Sequence, residues 1–476
     1  MISFYLNDKL ITTDVVLTTS LLDFLRYNQN LMGTKIGCRE GDCGTCTVLV
    51  GSIDTVKGEL EYKNIVSCLT PIGSIMNKHI VTIEGINPTQ RENLTPIQDY
   101  FIKNGSTQCG FCTPGFIVSA TGYFLSNDTN DNLIDFLDGN ICRCTGYKSI
   151  ERACDELTSN YKVFTDKNEN LEFLVNNHFI PKYFLGMEEK LRKLKQKNLN
   201  QSNEKTDDKQ VLFGGGTDLM VQKPDQLLES EAIFLVDESI ISETDKNIIV
   251  HASTLTEEFF ESDIINKYFE NLKNFKKLVA SAIIRNRGTI GGNIANASPI
   301  GDLTIILLAL NASISIKHGN NTSDILLKNF FKGYKQLAKE ENDRIDKFLI
   351  PKPNMSKNYY FNFEKVSKRT NLDIASVNSA IFIELKEDKI SSIFLSAGGI
   401  APIPLFLQKT CDFLQSKTIE PETIISAIET AKKEISPISD IRGSKEYKEL
   451  LLGQLILTHF MTLFPGKIQL EEVYTS

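Results

Sequence analysis

The chain has 476 residues, 41% of them hydrophobic, and a net charge of −8. At roughly 150 residues per domain that length allows about three domains, and the acidic balance disfavours a nucleic-acid footprint. Apolar runs such as "LTIILLAL" from Leu303 are too short for a membrane span of about 20 residues, and "MISFYLNDKL" has no basic segment leading into an apolar one, so a cytoplasmic protein without membrane or nucleic-acid partners is expected.

Residues 1–86 read as short strands and turns. "ISFYLNDKLITTDV" alternates around an Asn-Asp pair and predicts a hairpin. "TSLLDFLRYN" follows, with Ser20 as a helix N-cap and an apolar face at Leu21, Phe24 and Leu25. "TCTVLVG" and "HIVTIEGI" read as further strands of a β-grasp-like α+β domain. Residues 94–160 have helical periodicity in "TPIQDYFIKNG", "TPGFIVSATGYFLSN" and "KSIERACDELTSN", two of them with Pro near the first turn. The polar stretch from Lys190 to Lys209 reads as a solvated helix end running into a loop. Residues 210–476 alternate strands and helices, and "KPNMSK" over Lys352–Lys357 predicts a break before a C-terminal α+β subdomain.

Ten cysteines in a reducing compartment point to metal or catalysis rather than disulfides. Eight lie between Cys38 and Cys144; Cys154 and Cys411 stand alone and read as buried neutral thiols. Cys38, Cys43 and Cys46 have C-x4-C-x2-C spacing, with Cys68 further on in "IVSCLTP". This is the plant-type spacing for a [2Fe–2S] cluster. Gly37, Gly41 and Gly44 let the loop curl so that backbone N–H groups face the sulfurs. A structural zinc site also uses four cysteines, but it favours paired C-x2-C knuckles. "QCGFCTPGF" supplies Cys109 and Cys112, and "NICRCTGY" supplies Cys142 and Cys144. Each pair precedes a helix-like segment, whose N-terminus offers free N–H groups to an anionic cluster. A C-x2-C followed by a distant C-x-C suits a second two-iron cluster better than a zinc knuckle.

Two glycine-rich segments lie further on. "VLFGGGTDLM" runs from a strand into three glycines, which can bring N–H groups to a pyrophosphate. It is neither a P-loop nor G-x-G-x-x-G, and the same glycines would serve a plain strand–turn–helix. "IRNRGTIGGNIANASPIGD", from Ile284 to Asp302, could lay a flat ring against backbone while Thr289, Asn293 and Ser298 bond to it, or could be a turn.

"CREGDCGTCTVLV", "QCGFCTPGFIVSA" and "GNICRCTGY", in this order, resemble the iron–sulfur half of the molybdenum hydroxylases, the xanthine dehydrogenase and aldehyde oxidase family. The glycine-rich pair resembles the same family's flavin domain. "RTNLDIASVNSAI" and "SAGGIAPIP" resemble its C-terminal flavoprotein subdomain. The resemblance covers essentially the whole chain and implies a multidomain α+β protein. Its parts would be a [2Fe–2S] ferredoxin-like β-grasp domain (1–86), a helical [2Fe–2S] domain (87–165), an α/β, non-Rossmann FAD domain (176–352) and a C-terminal α+β subdomain (353–476). It implies Cys38, Cys43, Cys46 and Cys68 on one cluster and Cys109, Cys112, Cys142 and Cys144 on the other. For FAD it implies Leu212, Phe213, Gly214, Gly215, Gly216, Thr217, Asp218 and Leu219 on the pyrophosphate side. It places Thr289, Ile290, Gly291, Gly292, Asn293 and Asp302 along the flavin, with Ile345 and Lys365 as further contacts.

Nothing in the sequence resembles the family's molybdenum-pterin domains. The implied protein is therefore like the small, iron–sulfur/FAD subunit of the bacterial members, without catalytic residues of its own. It would pair with a large molybdenum-pterin subunit, as a dimer of heteromers. Electrons from hypoxanthine or xanthine would pass through the helical-domain cluster, the ferredoxin-like cluster and FAD to NAD+. An aldehyde or other N-heterocycle enzyme with another acceptor, or a standalone electron carrier, would use the same cofactors.

Overall fold

The computed structural model describes residues 1–54, 57–87, 94–126, 132–199, 211–235 and 240–468. They form two compact units, Met1–Asp237 with Ser281–Gly288, and Glu238–Ala280 with Thr289–Ser476.

In the first unit, β1 (Ile2–Leu6) and β2 (Lys9–Thr13) pair antiparallel around Asn7 and Asp8, with Asn7 at φ +54. β3 (Thr47–Ile53), β4 (Leu60–Val66) and β5 (His79–Val81) complete a sheet of order β2-β1-β5-β3-β4. The β1–β5 pair is parallel and the others antiparallel, which is the β-grasp arrangement the sequence predicts. Strand alternation sends Ile2, Phe4 and Leu6 inward. They meet Leu21, Phe24 and Leu25 of a helical turn that starts at Ser20, whose hydroxyl accepts from the Asp23 N–H at 3.1 Å.

The helical part follows. The helix Pro96–Lys103 opens on a reciprocal capping box between Thr95 and Gln98. The helix Thr113–Leu125 is buried at every position from Gly115 to Leu125, as expected of a helix without a polar face. Short Leu133–Phe136 and amphipathic Lys148–Asn160 pack around it. Leu49 and Val81 of the sheet share a core with Phe116, Phe124 and Leu157, so sheet and helices bury each other. The helix Met187–Leu199 takes up the start of the polar stretch; the rest of that stretch lies outside the described residues. β6 (Val211–Phe213) and β7 (Ala232–Phe234) form a short parallel pair.

The second unit has two antiparallel sheets. β8 (Ile241–Glu243), β9 (Asn247–His251), β10 (Ser313–His318) and β11 (Asn321–Leu326) join β14 (Arg344–Pro351) in the order β11-β10-β14-β9-β8. β12 (Phe331–Gly333) and β13 (Gln336–Leu337) make a small hairpin. After the expected break at Lys352–Lys357, β15 (Asn358–Val366), β16 (Val377–Lys386), β17 (Lys389–Gly398) and β18 (Leu405–Phe406) pair in sequence. β16 is buried at every position from Val377 to Ile383, because both faces of this sheet are covered. Ala380 and Phe382 face one core with the apolar helix Asp302–Ala309, while Ile381 and Ile383 face another with the helix Lys445–Leu463. Among the described residues no helix is long and apolar enough to cross a membrane.

Candidate functional site

The loop from Gly37 to Thr47 turns sharply: Arg39, Gly41 and Gly44 take φ of +60, +80 and +67. The glycines adopt that region freely and Arg39 does not. A two-pronged ion pair holds Arg39, with its guanidinium at 2.7 and 3.0 Å from the two carboxylate oxygens of Asp23. The curled backbone aims amides at sulfur. Cys38 N–H donates to Cys43 Sγ at 3.4 Å and Glu40 N–H to Cys38 Sγ at 3.3 Å. Gly37 has no side chain because Cys43 Sγ lies in the space a Cβ would take. The Thr45 hydroxyl lies 3.3 Å from Cys43 Sγ. Cys46 and Cys68 are buried in an apolar wall with Val66, Leu69 and Ile283.

The second group uses helix starts. Cys112 is the N-cap of the helix Thr113–Leu125. Cys142 and Cys144 lie just before the helix Lys148–Asn160, reached through Gly146 and Tyr147 at φ +64 and +67. Cys142 Sγ accepts from the Thr145 hydroxyl at 3.1 Å and the Thr145 N–H at 3.5 Å. The Cys142 N–H donates to the Tyr147 hydroxyl at 3.2 Å. Cys142 is buried, whereas Cys109 and Cys144 are exposed, with 3.5 Å between their sulfurs.

The eight thiols come in hydrogen-bonded pairs: Cys38 with Cys43, Cys46 with Cys68, Cys109 with Cys144, and Cys112 with Cys142. Each pair splits its titration. The Cys38 hydrogen bond brings Cys43 down to about 5, and the same bond raises Cys38. Cys46 is lowered by its bond from Cys68, which is raised by it. Cys109 is lowered by the Phe111 backbone and by Cys144. Burial pushes Cys112 up to about 12. For Cys142 burial is the largest influence, but the hydrogen bonds from Thr145 outweigh it and leave the thiol lowered. A pair of sulfurs sharing one proton is half-way to a thiolate pair, which is what a metal requires. Among the described residues no three His, Cys, Asp or Glu side chains converge as a single ion would need. Sulfurs two by two fit a two-iron group, with two thiolates to each iron. Cys154 and Cys411 are buried alone, and burial pushes both up to about 12.

The expected flavin residues fall in two sets. In the first unit, Leu212 and Phe213 end β6, and Gly214–Gly216 turn the chain, with Gly216 at φ +83. A side chain at Gly215 would run into the Arg287 carbonyl, so the backbones approach closely there. Thr217 follows, Asp218 is the N-cap of a helical turn, and Leu219 is its first residue. In the second unit, Thr289 caps the helix Ile290–Asn296, its hydroxyl accepting from Gly292 N–H at 3.1 Å. Gly291 lies against the Ala252 backbone, where a Cβ would clash. Asn293 Oδ1 is buried without a hydrogen-bond partner, an acceptor that a ligand's N–H or O–H would satisfy. Asp302 and Lys365 meet: Lys365 Nζ is 2.7 Å from Asp302 Oδ2 and 2.5 Å from the Leu278 carbonyl. Asn378 Nδ2 donates to Asp302 Oδ1 at 2.5 Å. Burial raises the Asp302 carboxyl, opposed by Lys365 and Asn378. Ile345 sits on β14 opposite Ile316, with its side chain in the apolar core. The orphaned Asn293 acceptor fits a ligand such as FAD.

Four family models match the chain in series. They are a 2Fe-2S iron-sulfur cluster binding domain over residues 4–73 and a [2Fe-2S] binding domain over 82–155. An FAD binding domain in molybdopterin dehydrogenase follows over 192–353, and a CO dehydrogenase flavoprotein C-terminal domain over 362–463. In series, these four models match the make-up of a molybdenum hydroxylase iron–sulfur/FAD subunit. The chain carries two [2Fe–2S] domains and an FAD domain, in the order the cysteine patterns indicate. It is 27% identical to the xanthine dehydrogenase of Blastobotrys adeninivorans, over 93% of this chain and 39% of that one. It is 29% identical to the Emericella nidulans xanthine dehydrogenase, over 89% and 36%. With mouse xanthine dehydrogenase/oxidase it shares 25%, over 98% and 39%. The chain thus spans less than two fifths of the length of these relatives.

Sequence reading missed several residues of the site. Thr45 and Thr145 each follow a cysteine and bond to its sulfur; a hydroxyl two or three residues past a ligand is a usable signal. Asn378, on β16, completes the Asp302–Lys365 group; it lies in "RTNLDIASVNSAI", which reads in sequence only as part of the C-terminal subdomain. The segment Ile284–Asp302, read as one glycine-rich piece, is divided between the two units at Gly288. Its first residue, Ile284, and the preceding Ile283 are apolar and pack with Cys46 and Cys68.

Proposed function

We propose that this chain is the electron-transfer small subunit of a bacterial-type xanthine dehydrogenase, organised as domains 1–86, 87–165, 176–352 and 353–476. Its partner would be a large molybdenum-pterin subunit oxidising hypoxanthine or xanthine, in a cytoplasmic dimer of heteromers with NAD+ as acceptor. When bound, the two [2Fe–2S] clusters supply one-electron carriers and FAD supplies the exchange between one- and two-electron chemistry.

The observation that carries the reading is the junction of the two cages. Ile141 N–H, next to Cys142, donates to the carbonyl of Cys43 at 3.0 Å. Cys142 belongs to one ligand set and Cys43 to the other, so one hydrogen bond links the backbones of both. Exposed Cys109 and Cys144 leave the outer cage an open edge toward a partner. Cys46 and Cys68, walled by Val66, Leu69 and Ile283, keep water from the inner one. The proposed FAD residues remain Leu212–Leu219, Thr289–Asn293, Asp302, Ile345 and Lys365.

The test is anaerobic purification from the native source, with iron, zinc and flavin quantified and co-purifying chains identified. We expect a brown protein with about four irons, as two two-iron clusters require, one FAD and no zinc. A large molybdenum protein should accompany it, with reduction of NAD+ faster on hypoxanthine than on aldehydes. A colourless zinc protein would defeat the cage assignment. Faster turnover of aldehydes would defeat the substrate.

A further inference from the structure

Between the two cages the backbones come unusually close. A side chain on Gly115, in the helix that starts at Cys112, would run into the Gly44 carbonyl, and one on Gly44 would meet the Gly139 carbonyl at 2.5 Å. One polar side chain fills this junction. Asn140 is 6% exposed. Its Nδ2 donates to the Gly44 carbonyl at 3.0 Å and to the Thr47 hydroxyl at 3.3 Å. Its Oδ1 accepts from the Ser119 hydroxyl at 2.7 Å. Ser119 is fully buried at the middle of the helix Thr113–Leu125. Both amide protons and the carbonyl of Asn140 are therefore used.

We infer that Asn140 is the positioning residue that sets the separation of the two clusters. The inference rests on the reading of both cages as two-iron sites. Gly44 lies between the ligands Cys43 and Cys46, Ser119 lies two helical turns past the ligand Cys112, and Asn140 itself is two residues before the ligand Cys142. One amide thus ties together three stretches of chain, each carrying a different ligand. The Ile141–Cys43 hydrogen bond is adjacent in the chain, so the side chain of Asn140 holds that bond in register. A buried amide with all its bonds made has one orientation, which is what a fixed distance requires. An aspartate has the same shape but presents an oxygen to the Gly44 carbonyl, turning an attraction into a repulsion.

The readout is magnetic. Two reduced clusters in one protein split each other's EPR lines at low temperature by an amount that falls steeply with their separation. The fully reduced, cluster-loaded chain is compared with Asn140→Asp and with the milder Ser119→Ala, which removes only the hydroxyl that Asn140 accepts. Iron content and the two cluster signals should be retained in both. The splitting should be lost in Asn140→Asp and reduced in Ser119→Ala, with electron equilibration between the clusters slowed in the same order. Wild-type splitting and equilibration in Ser119→Ala together with Asn140→Asp would overturn the inference. So would an unchanged Ser119→Ala if Asn140→Asp fails to fold. A wild-type protein with one cluster signal or none would instead overturn the two-cage reading beneath it.

Discussion

The proposed cage of Cys38, Cys43, Cys46 and Cys68 is built from a loop before β3 and a turn after β4, whereas the proposed cage of Cys109, Cys112, Cys142 and Cys144 is a meeting of helix starts. The loop aims its N–H groups with three left-handed residues, one of them an arginine that Asp23 holds. The helix starts have free N–H groups by construction. Apolar side chains from distant sequence wall Cys46 and Cys68 of the first cage, with Cys38 and Cys43 half-buried, and the second leaves two of its four sulfurs exposed. The difference teaches that one ligand chemistry can be reached by spending backbone strain in a sheet or by using unsatisfied donors at helix ends. The two routes differ in what breaks them.

The largest effect should come from the ligands. Cys43→Ser should erase one cluster signal in EPR and leave the other, and Cys112→Ser should do the reverse. Loss of both signals from either change would show that the cages do not form independently. Next come the turns. Gly44→Ala meets both a left-handed backbone and the Gly139 carbonyl, and should cost about 2–5 kcal/mol in denaturant unfolding. Gly110→Ala in the second cage has φ +79 but open space around it, so it should cost only about 1–2 kcal/mol. Equal costs would refute the contrast.

A further effect is in pH. His79, on β5 of the first cage's sheet, is buried; Tyr62 donates to Nδ1 at 2.8 Å and Nε2 donates to the Asn7 carbonyl at 2.8 Å. Burial brings it down to about 4, from 6.5. The fold therefore favours the neutral ring. Its contribution is fully present above pH 6.5, declines as pH falls toward 4 and changes no further below that. The decline amounts to at most about 3 kcal/mol. His79→Gln should flatten this part of the stability profile, and an unchanged slope would rule the histidine out as its source.

Much of this was legible. The cysteine spacings, the Ser20 cap, the hairpin at Asn7 and the break at Lys352–Lys357 are local signals, set by residues a few positions apart. Asn140, Asn378 and Asp23 were not legible as site residues. An asparagine beside a glycine reads as a turn, and an aspartate after a cap reads as helix chemistry. Each acts on a partner that only the fold brings near: Asp23 on Arg39, Asn140 on Gly44 and Ser119, Asn378 on Asp302. Glycine was credited with curling the first loop, but Arg39 shares that strain, and its αL conformation has no sequence mark.

The return of Ser281–Gly288 to the first unit has a consequence for how the protein is made. The body of that unit ends at Asp237, and the chain completes it only about fifty residues later. At roughly 5–20 residues per second of synthesis, that gap lasts a few seconds. Ile283 is part of the wall around Cys46 and Cys68, so a nascent chain presents an incompletely walled first cage during that gap. No single cut in the polypeptide can divide the two units cleanly, because any break between them strands either this short return or the residues before it. Splitting such a gene into separate iron–sulfur and flavin chains would first require a new way to close that wall.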